Sequence, residues 1–265
     1  MNSNTTVGRE TTLWSLRPAG EHAGLRRTAQ GAGLRLRALS MQRLSALPAD
    51  AASEGVLRAA LAASIRVWAS PAAVRFGLRS LASGAPPRVA VEGIDVGVDI
   101  GVGEGTASAL RRAGAREVIC PERMDSEGVL ALPALANVAT AAVGLVTAPG
   151  GRGMLAAALR ERGADLRVAE IYARVALHGG ARRIADFIDD ASGVLLVSSA
   201  EALDRLLARL PPATTARGLA LRRRLAVASS ARLVQRLGGA GFASVVQAAG
   251  PRPAQLVEAA CTPHP

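Results

Sequence analysis

Six short segments of this chain have the composition of an anion site: Arg17-Pro18, Ser70-Pro71, Gly101 to Thr106, Ala148 to Arg152, Ser198-Ser199 and Ser229-Ser230. Each follows a β-like run, and in α/β proteins ligands sit beyond the carboxyl ends of the strands. Their residues are small, hydroxylated or glycine, so a ligand can approach the backbone. Free N–H groups at the helix N-termini that follow favour carboxylate or phosphate. For any single one of these turns, helix capping by Ser or Thr is the better explanation. Six of them around one cleft point to an anion site.

Other chemistries lack their residues. His22, His178 and His264 sit in polar or terminal settings with no Ser/Asp pattern nearby, which predicts surface positions. Asp189-Asp190 reads as a solvated helix end rather than a paired-carboxylate site. Cys120 and Cys261 form no CxxC or Cys/His spacing, so neither a zinc site nor a disulfide framework is expected. "GVGEG" at Gly101 to Gly105 places Thr106 where a dinucleotide fingerprint needs its third glycine, and "APGGRG" at Ala148 to Gly153 lacks the Lys-Ser/Thr of a P-loop. No metal and no cofactor is expected.

The elements that must position these turns alternate between β-rich runs and helical patterns, the signature of a parallel sheet with crossover helices. Strands are expected at Leu13–Arg17, Ile65–Ala69, Val96–Ile100, Val143–Thr147, Leu166–Tyr172, Val194–Val197, Leu225–Ala228 and Ser244–Val246. Leu203, Leu206, Leu207 and Leu210 make one apolar helix face, stopped by Pro211-Pro212. Gly114, Gly163 and Gly238 are expected as left-handed caps closing other helices. Ser83–Pro87 and Pro211–Thr215 read as loops. Two strand-to-helix turns echo each other in order: "ASPAAV" around Ser70 returns as "SSAEAL" around Ser199, and "GEGTASALRRAG" around Thr106 returns as "ASSARLVQRLGG" around Ser230. The offsets are 129 and 124 residues, which suggests two similar lobes.

Length and composition fit this scheme. At 265 residues the chain suits two ordinary domains. No apolar run reaches the roughly 20 residues of a membrane span, and Met1 to Glu10 lacks the order of a signal peptide, so a soluble cytoplasmic protein is expected. The net charge is +11, but all 32 basic residues are Arg, as a GC-rich coding sequence would give whatever the ligand. Aromatic residues are only 2%, too few for base-stacking platforms, so a small polyanion is a better partner than nucleic acid.

From Val143 the chain reads "VGLVTAPGGRGMLAAALRERGADLRVAEIYAR". This resembles the central signature of uroporphyrinogen-III synthases, in which a glycine-rich turn with an Arg leads to L-x-x-x-L-x-x-x-G and a Tyr-x-Arg strand, matched here by Tyr172 and Arg174. "LRP" at Leu16 to Pro18, "SPAAV" at Ser70 to Val74, "GEGTA" at Gly103 to Ala107, "SEG" at Ser126 to Gly128 and "SSAEAL" at Ser198 to Leu203 follow the family order. Leu16, Ala72 and Ser230 depart from the usual family residues, and Arg88 to Asp99 has no clear counterpart.

The resemblance implies an α/β fold of two similar lobes, each a parallel sheet flanked by helices. One lobe is residues 1–40 plus 175–265, the other the inserted residues 45–168. A two-stranded ladder near Leu36–Leu44 and Val168–Ala176 would join them and serve as a hinge. The implied reaction cyclises linear hydroxymethylbilane to uroporphyrinogen III, with loss of water and inversion of the D ring through a spiro intermediate, in tetrapyrrole and heme biosynthesis. No cofactor is needed. Tyr172 is the implied catalytic residue, helping the hydroxyl leave, with a purely structural Tyr as the alternative. Arg17, Ser70, Gly103, Thr106, Ala107, Gly150, Gly151, Arg152, Ser198, Ser199 and Ser230 would bind the substrate's acetate and propionate groups. The expected partner is hydroxymethylbilane, handed over by hydroxymethylbilane synthase to a cytoplasmic monomer. The rival function is a non-catalytic bilobal protein that binds a small anion.

Overall fold

The computed structural model describes residues 11–48, 50–82, 97–151 and 153–262. The chain divides into two compact units, unit 1 (Met1–Arg43 with Val175–Pro265) and unit 2 (Leu44–Arg174). Unit 1 opens with strand β1 (Thr12–Ser15), helix α1 (Ala23–Gly31) and β2 (Arg35–Ala38), and the chain leaves it along β3 (Gln42–Ala46). Unit 2 runs through α2 (Ala51–Leu61), β4 (Ile65–Trp68), α3 (Pro71–Ala82), β5 (Val98–Gly101), α4 (Glu104–Arg112) and β6 (Val118–Ile119). It continues with α5 (Ser126–Leu130), β7 (Ala142–Thr147), α6 (Gly153–Glu161) and β8 (Asp165–Glu170), and β9 (Tyr172–Ala176) leads back. Unit 1 is completed by α7 (Ala181–Asp189), β10 (Val194–Val197), α8 (Ala200–Leu207), α9 (Ala216–Arg222), β11 (Leu225–Ala228), α10 (Ala231–Gly239), β12 (Ser244–Gln247) and α11 (Pro253–Cys261).

Each unit is built on a five-stranded parallel sheet, in the order β12-β11-β10-β1-β2 in unit 1 and β6-β5-β4-β7-β8 in unit 2. A parallel sheet is covered on both faces, so its central strands must be apolar throughout rather than alternating. β10 reads Val-Leu-Leu-Val and is buried at every position. Val194 and Leu196 pack with Leu25 of α1 and Leu256 of α11, while Leu195 and Val197 pack with Phe187 of α7 and Leu203 of α8. Unit 2 repeats the scheme. Val67, Val143 and Leu145 meet Leu155 and Leu159 of α6 on one face, and Trp68 and Val146 meet Leu61 of α2 and Val74 of α3 on the other. The α/β expectation of two lobes of parallel sheet and helices is therefore met. β3 and β9 pair as a separate two-stranded sheet.

One charged pair lies inside the unit 2 core. Arg66 of β4 stands directly opposite Asp99 of β5, with 0% and 1% of their side chains exposed. The pair is bidentate, Nε to Oδ1 at 2.8 Å and Nη2 to Oδ2 at 3.0 Å, and Trp68 Nε1 also donates to Asp99 at 2.7 Å. A buried ion pair tolerates desolvation only when its remaining hydrogen-bonding groups are satisfied. Here carbonyls of Leu61, Ala63 and Gly97 take further guanidinium N–H groups.

The two sheets share a spatial order although their chain order differs. Laying β6-β5-β4-β7-β8 on β12-β11-β10-β1-β2 matches β4 with β10, β5 with β11 and β7 with β1. The turns that echo in sequence fall at matched positions, Ser70 after β4 with Ser199 after β10, and Thr106 after β5 with Ser230 after β11. Unit 1 is thus a circular permutation of unit 2, as expected of a chain whose two ends build one lobe around an inserted other.

Some expectations need correction. Gly238 lies inside α10 rather than capping it, and the left-handed position is Gly241, φ +87°. Gly114 and Gly163, at φ +93° and +80°, do follow α4 and α6. The expected strand Leu166–Tyr172 is split at Ile171 into β8 and β9, and the stretch Leu36–Leu44 holds the end of β2 and the start of β3 rather than one strand. Ser83–Pro87, Val96, Arg152 and His264, with most of Arg88–Asp99, lie outside the described residues.

Candidate functional site

In open parallel sheets the ligand crevice opens where neighbouring strands send their chains in opposite directions. In unit 2 that point lies between β4 and β7, since β4 leads to β5 on one side and β7 to β8 on the other. The turns leaving these strands are Ala69-Ser70 and Ala148 to Gly151, so Ser70, Gly150 and Gly151 flank one crevice.

Ser70 works twice there. Its Oγ accepts from the Ala73 N–H at 3.1 Å, capping α3, and shares a hydrogen bond of 2.7 Å with the Tyr172 hydroxyl. Tyr172, the only tyrosine of the chain, is buried. Its ring stacks on Phe76 of α3 with centroids 5.4 Å apart. Ring and hydroxyl are therefore both held by the helix that Ser70 caps. The glycine turn is shaped by close approach: Gly150 has φ +68°, and a Cβ on Gly151 would lie 2.7 Å from Thr147 Oγ1 and 2.8 Å from the Ala148 carbonyl.

The remaining unit 2 residues follow β5. Gly103 is the N-cap of α4 in extended conformation. Thr106 and Ala107 are buried in the first turn of α4, and the N–H of Ala107 bonds to the Gly103 carbonyl. Ala107 therefore packs, and a Cβ on Gly101 would sit 2.6 Å from its nitrogen. That packing accounts for the glycine at Gly101 without a nucleotide.

In unit 1 the corresponding crevice lies between β1 and β10, bringing Arg17 and the pair Ser198-Ser199 to one sheet edge, with Ser230 beyond β11. Ser199 caps α8 through the Ala202 N–H at 3.3 Å, whereas Ser230 stands at the N-cap of α10 with no side-chain cap bond. Arg17 donates from Nη2 to the Pro251 carbonyl at 2.6 Å, while its buried Nε has no partner. Desolvation lowers the Arg17 pKa, partly opposed by Glu21.

His22 corrects the expectation of a surface position. It is 5% exposed, with Nδ1 3.1 Å from Ser15 Oγ and Nε2 2.8 Å from Ser40 Oγ. Burial, with Arg26 and Arg17 nearby, lowers its pKa to about 4, and Glu21 opposes the shift. The ring is neutral near pH 7 and ties the turn after β1 to the turn after β2. The signal was present in the sequence, since His22, Leu25 and Ala29 share one face of α1 and all three are buried. Gln42 also escaped notice. It is the first residue of β3, the strand matched by permutation to β9, and so corresponds to Tyr172. It is 1% exposed, and its Oε1 has no hydrogen-bond partner.

Asp189 and Asp190 do not form a paired-carboxylate site. Asp189 pairs with Arg217, and Asp190 accepts from Trp14 Nε1 at 2.7 Å. Among the described residues no three His, Cys, Asp or Glu side chains group as a metal-ligand set, and no helix is long and apolar enough to cross a membrane.

Comparison with known proteins places this geometry. Solved structures of similar fold include a uroporphyrinogen III synthase mutant from Thermus thermophilus, at TM-score 0.58 and 17% identity over 94% of this chain and 96% of that one. Another is uroporphyrinogen-III synthetase from Helicobacter pylori 26695, at TM-score 0.62 and 13% identity over 95% and 98%. Among curated proteins, uroporphyrinogen-III synthase of Escherichia coli K12 is 31% identical over 112 residues, and that of Salmonella typhimurium LT2 is 35% identical over 112. Each alignment takes in 42% of this chain and 46% of the relative, so the chain spans about half the length of the curated relatives it matches. The model of the uroporphyrinogen-III synthase HemD family matches residues 25–258, nearly all of both units, and the chain belongs to that family.

Proposed function

We propose that this protein is a uroporphyrinogen-III synthase, a cyclising lyase that closes hydroxymethylbilane to uroporphyrinogen III in tetrapyrrole and heme biosynthesis. The observation that carries the reading is the Ser70–Tyr172 pair, a phenol held at 2.7 Å beside the Gly150-Gly151 turn. The bilane closes by itself to the unrotated type I ring, so an enzyme must select a geometry, and positioning outweighs any single acid or base. That fits a site made of turns and helix ends rather than of a catalytic triad.

In this mechanism the substrate's carbon–oxygen bond breaks, the pyrrole bearing the hydroxymethyl group gives up its N–H proton, and hydroxyl and proton leave together as water. The Tyr172 phenol donates a hydrogen bond to the departing oxygen while the Ser70 hydroxyl turns its proton to the phenol oxygen. The D ring then inverts through a spiro intermediate before closure. Acetate and propionate arms are bound by N–H groups and hydroxyls at Arg17, Gly103, Thr106, Ser198, Ser199 and Ser230. Arg152 would complete the glycine turn's contribution, and Ala107 contributes by packing. No cofactor enters these steps. We place the enzyme in the cytoplasm as a monomer made of lobes 1–40 plus 175–265 and 45–168, receiving its substrate from hydroxymethylbilane synthase.

The test is to give fresh hydroxymethylbilane to the purified protein and separate the isomers formed. Type III product well above the spontaneous yield is expected. Type I alone, at the uncatalysed rate, overturns the proposal, and thermal stabilisation by the bilane without turnover would identify a binding protein instead.

A further inference from the structure

Unit 1 contains a cavity of about 540 Å³ between the turn after β1 and the end of β2, bordered by the segment leading into α7. The volume exceeds what a lone ion fills and falls within the range of small-molecule sites. Its charged lining residues are Arg26 of α1 and Arg183 of α7, and no Asp or Glu is among the lining residues. The Arg26 guanidinium has no hydrogen bond or ion pair among the described residues, and Arg183 commits one N–H, from Nη1 to the Ala38 carbonyl at 3.2 Å. Most surface arginines for which a side-chain contact is described here answer a carboxylate, as Arg37 does Asp186, Arg205 does Glu201 and Arg236 does Asp204. These two do not.

The backbone adds to the same field. His22 and Gly180, the N-caps of the nine-residue helices α1 and α7, both line the cavity. Neither helix has a side-chain cap bond or an acidic residue in its first turn. Their first N–H groups are therefore not answered from within the helix and bear the positive end of the macrodipole. His22, buried and bonded to Ser15 and Ser40, is a fixed neutral wall that braces Ser40 at the rim. Arg17 and Glu21 also act on the ring, but neither lines the cavity. Guanidinium forks match carboxylates in pairs, and a substrate with eight carboxylates has arms to place outside the reacting crevice.

We propose that this cavity binds one carboxylate arm of the tetrapyrrole, with Arg26 and Arg183 as its guanidinium contacts and Ser40 at its rim. The site lies on the β2 side of the turn after β1, beside the crevice between β1 and β10 rather than within it. The identity of the ligand rests on the proposed function; the presence of a carboxylate site does not.

The test uses the full-length protein and uroporphyrin III, the stable oxidised form of the product, titrated by fluorescence quenching. Arg26→Gln/Arg183→Gln should weaken binding at least tenfold, with Arg26→Ala/Arg183→Ala reading the same. Both side chains are exposed, and unchanged circular dichroism and melting temperature would confirm folding. Arg58→Gln/Arg111→Gln removes the same charge from exposed ion pairs of unit 2 and should weaken binding less than threefold. Equal Kd values for wild type and the Arg26/Arg183 variant, or equal losses in the two double variants, overturn the proposal. A wild-type protein that makes no type III isomer yet still outbinds the Arg26/Arg183 variant sinks the proposed reaction and leaves the cavity site standing. A wild type that makes type III but binds no better than the variant does the reverse.

Discussion

Replacing Asp99 tests the most demanding interaction in the fold. Asp99 accepts from Arg66 at 2.8 and 3.0 Å and from Trp68 at 2.7 Å, with almost none of either charged side chain exposed. Removing one partner of such a pair leaves a charge buried and uncompensated, at a cost of about 3–5 kcal/mol. Asp99→Asn keeps one oxygen, which can still accept from Trp68 Nε1 and Arg66 Nε but turns an NH2 toward Arg66 Nη2, so it belongs near the lower end, about 3 kcal/mol. Asp99→Leu keeps neither and belongs near the upper end, about 5 kcal/mol. Arg66→Met/Asp99→Leu removes both charges, leaves the Leu61, Ala63 and Gly97 carbonyls short of a donor, and should be more stable than Asp99→Leu alone. Each unit carries one tryptophan, Trp14 or Trp68, so urea unfolding in a Trp14→Phe background reports unit 2 through Trp68. Salt of about 0.5 M should leave the differences intact, because buried pairs are screened far less than exposed ones. An Asp99→Asn cost below about 1 kcal/mol, the scale of an exposed pair, would refute the reasoning. So would a double variant less stable than Asp99→Leu.

Three further outcomes follow from single side chains. His22 has a folded pKa of about 4 against 6.5 unfolded, so its contribution is full above pH 6.5 and is lost as pH falls toward 4. The loss reaches about 3 kcal/mol at 1.36 kcal/mol per pH unit, and His22→Gln, followed by urea midpoints of Trp14 at pH 7 and pH 4, should show a shallower decline; matching slopes count against the buried neutral ring. Tyr172→Phe keeps the stack on Phe76 and loses the Ser70 bond, so stability should fall by about 1 kcal/mol while type III formation slows by roughly 100-fold; an unchanged rate at saturating substrate removes the phenol from the mechanism. Gln42→Leu deletes a buried acceptor without a partner and should stabilise unit 1 by about 1 kcal/mol, read by thermal melting; a loss of stability would mean that the amide is satisfied in solution.

How much of this was legible beforehand depends on where each residue stands in its sheet. Central strands buried on both faces announced themselves, and Val194–Val197 and Leu225–Ala228 were bounded as observed. β2, Arg-Leu-Arg-Ala, was hidden because an edge strand alternates charge with leucine and reads as surface. β6 is two residues long and below any pattern. Arg66 and Asp99 were invisible as a pair, since a charge inside a strand becomes intelligible only when the register sets its counter-charge opposite. Among candidate site residues, turn position marked Ser70 and the family resemblance marked Tyr172, but neither showed their mutual bond, which joins positions 102 apart in sequence. His22 was misplaced because residue type outweighed its position on an apolar face.

The permutation explains why the internal echo was faint and why it surfaced where it did. Two units with the same sheet order need the same close approaches only where helices leave the strands, and there the requirement is chemical: a small or hydroxylated residue that can serve the first turn. Ser70 caps α3 and Ser199 caps α8, so that echo is enforced by the backbone alone. The other differs, since Ser230 makes no side-chain cap bond and its counterpart Thr106 is buried inside the first turn of α4. The strands between these turns need only be apolar and drift freely. What separates the units functionally must therefore lie where the equivalence breaks: a phenol bonded to serine at Tyr172 against an unpartnered amide at Gln42, and a glycine turn after β7 against the Arg17-Pro18 turn after β1. Unit 2 has its hydroxyl chemistry in place, while unit 1 has guanidinium groups at Arg17, Arg26 and Arg183. On the proposed function, that division gives the reacting hydroxyl to unit 2 and adds guanidinium contacts in unit 1 to the carboxylate-binding turns proposed in both units.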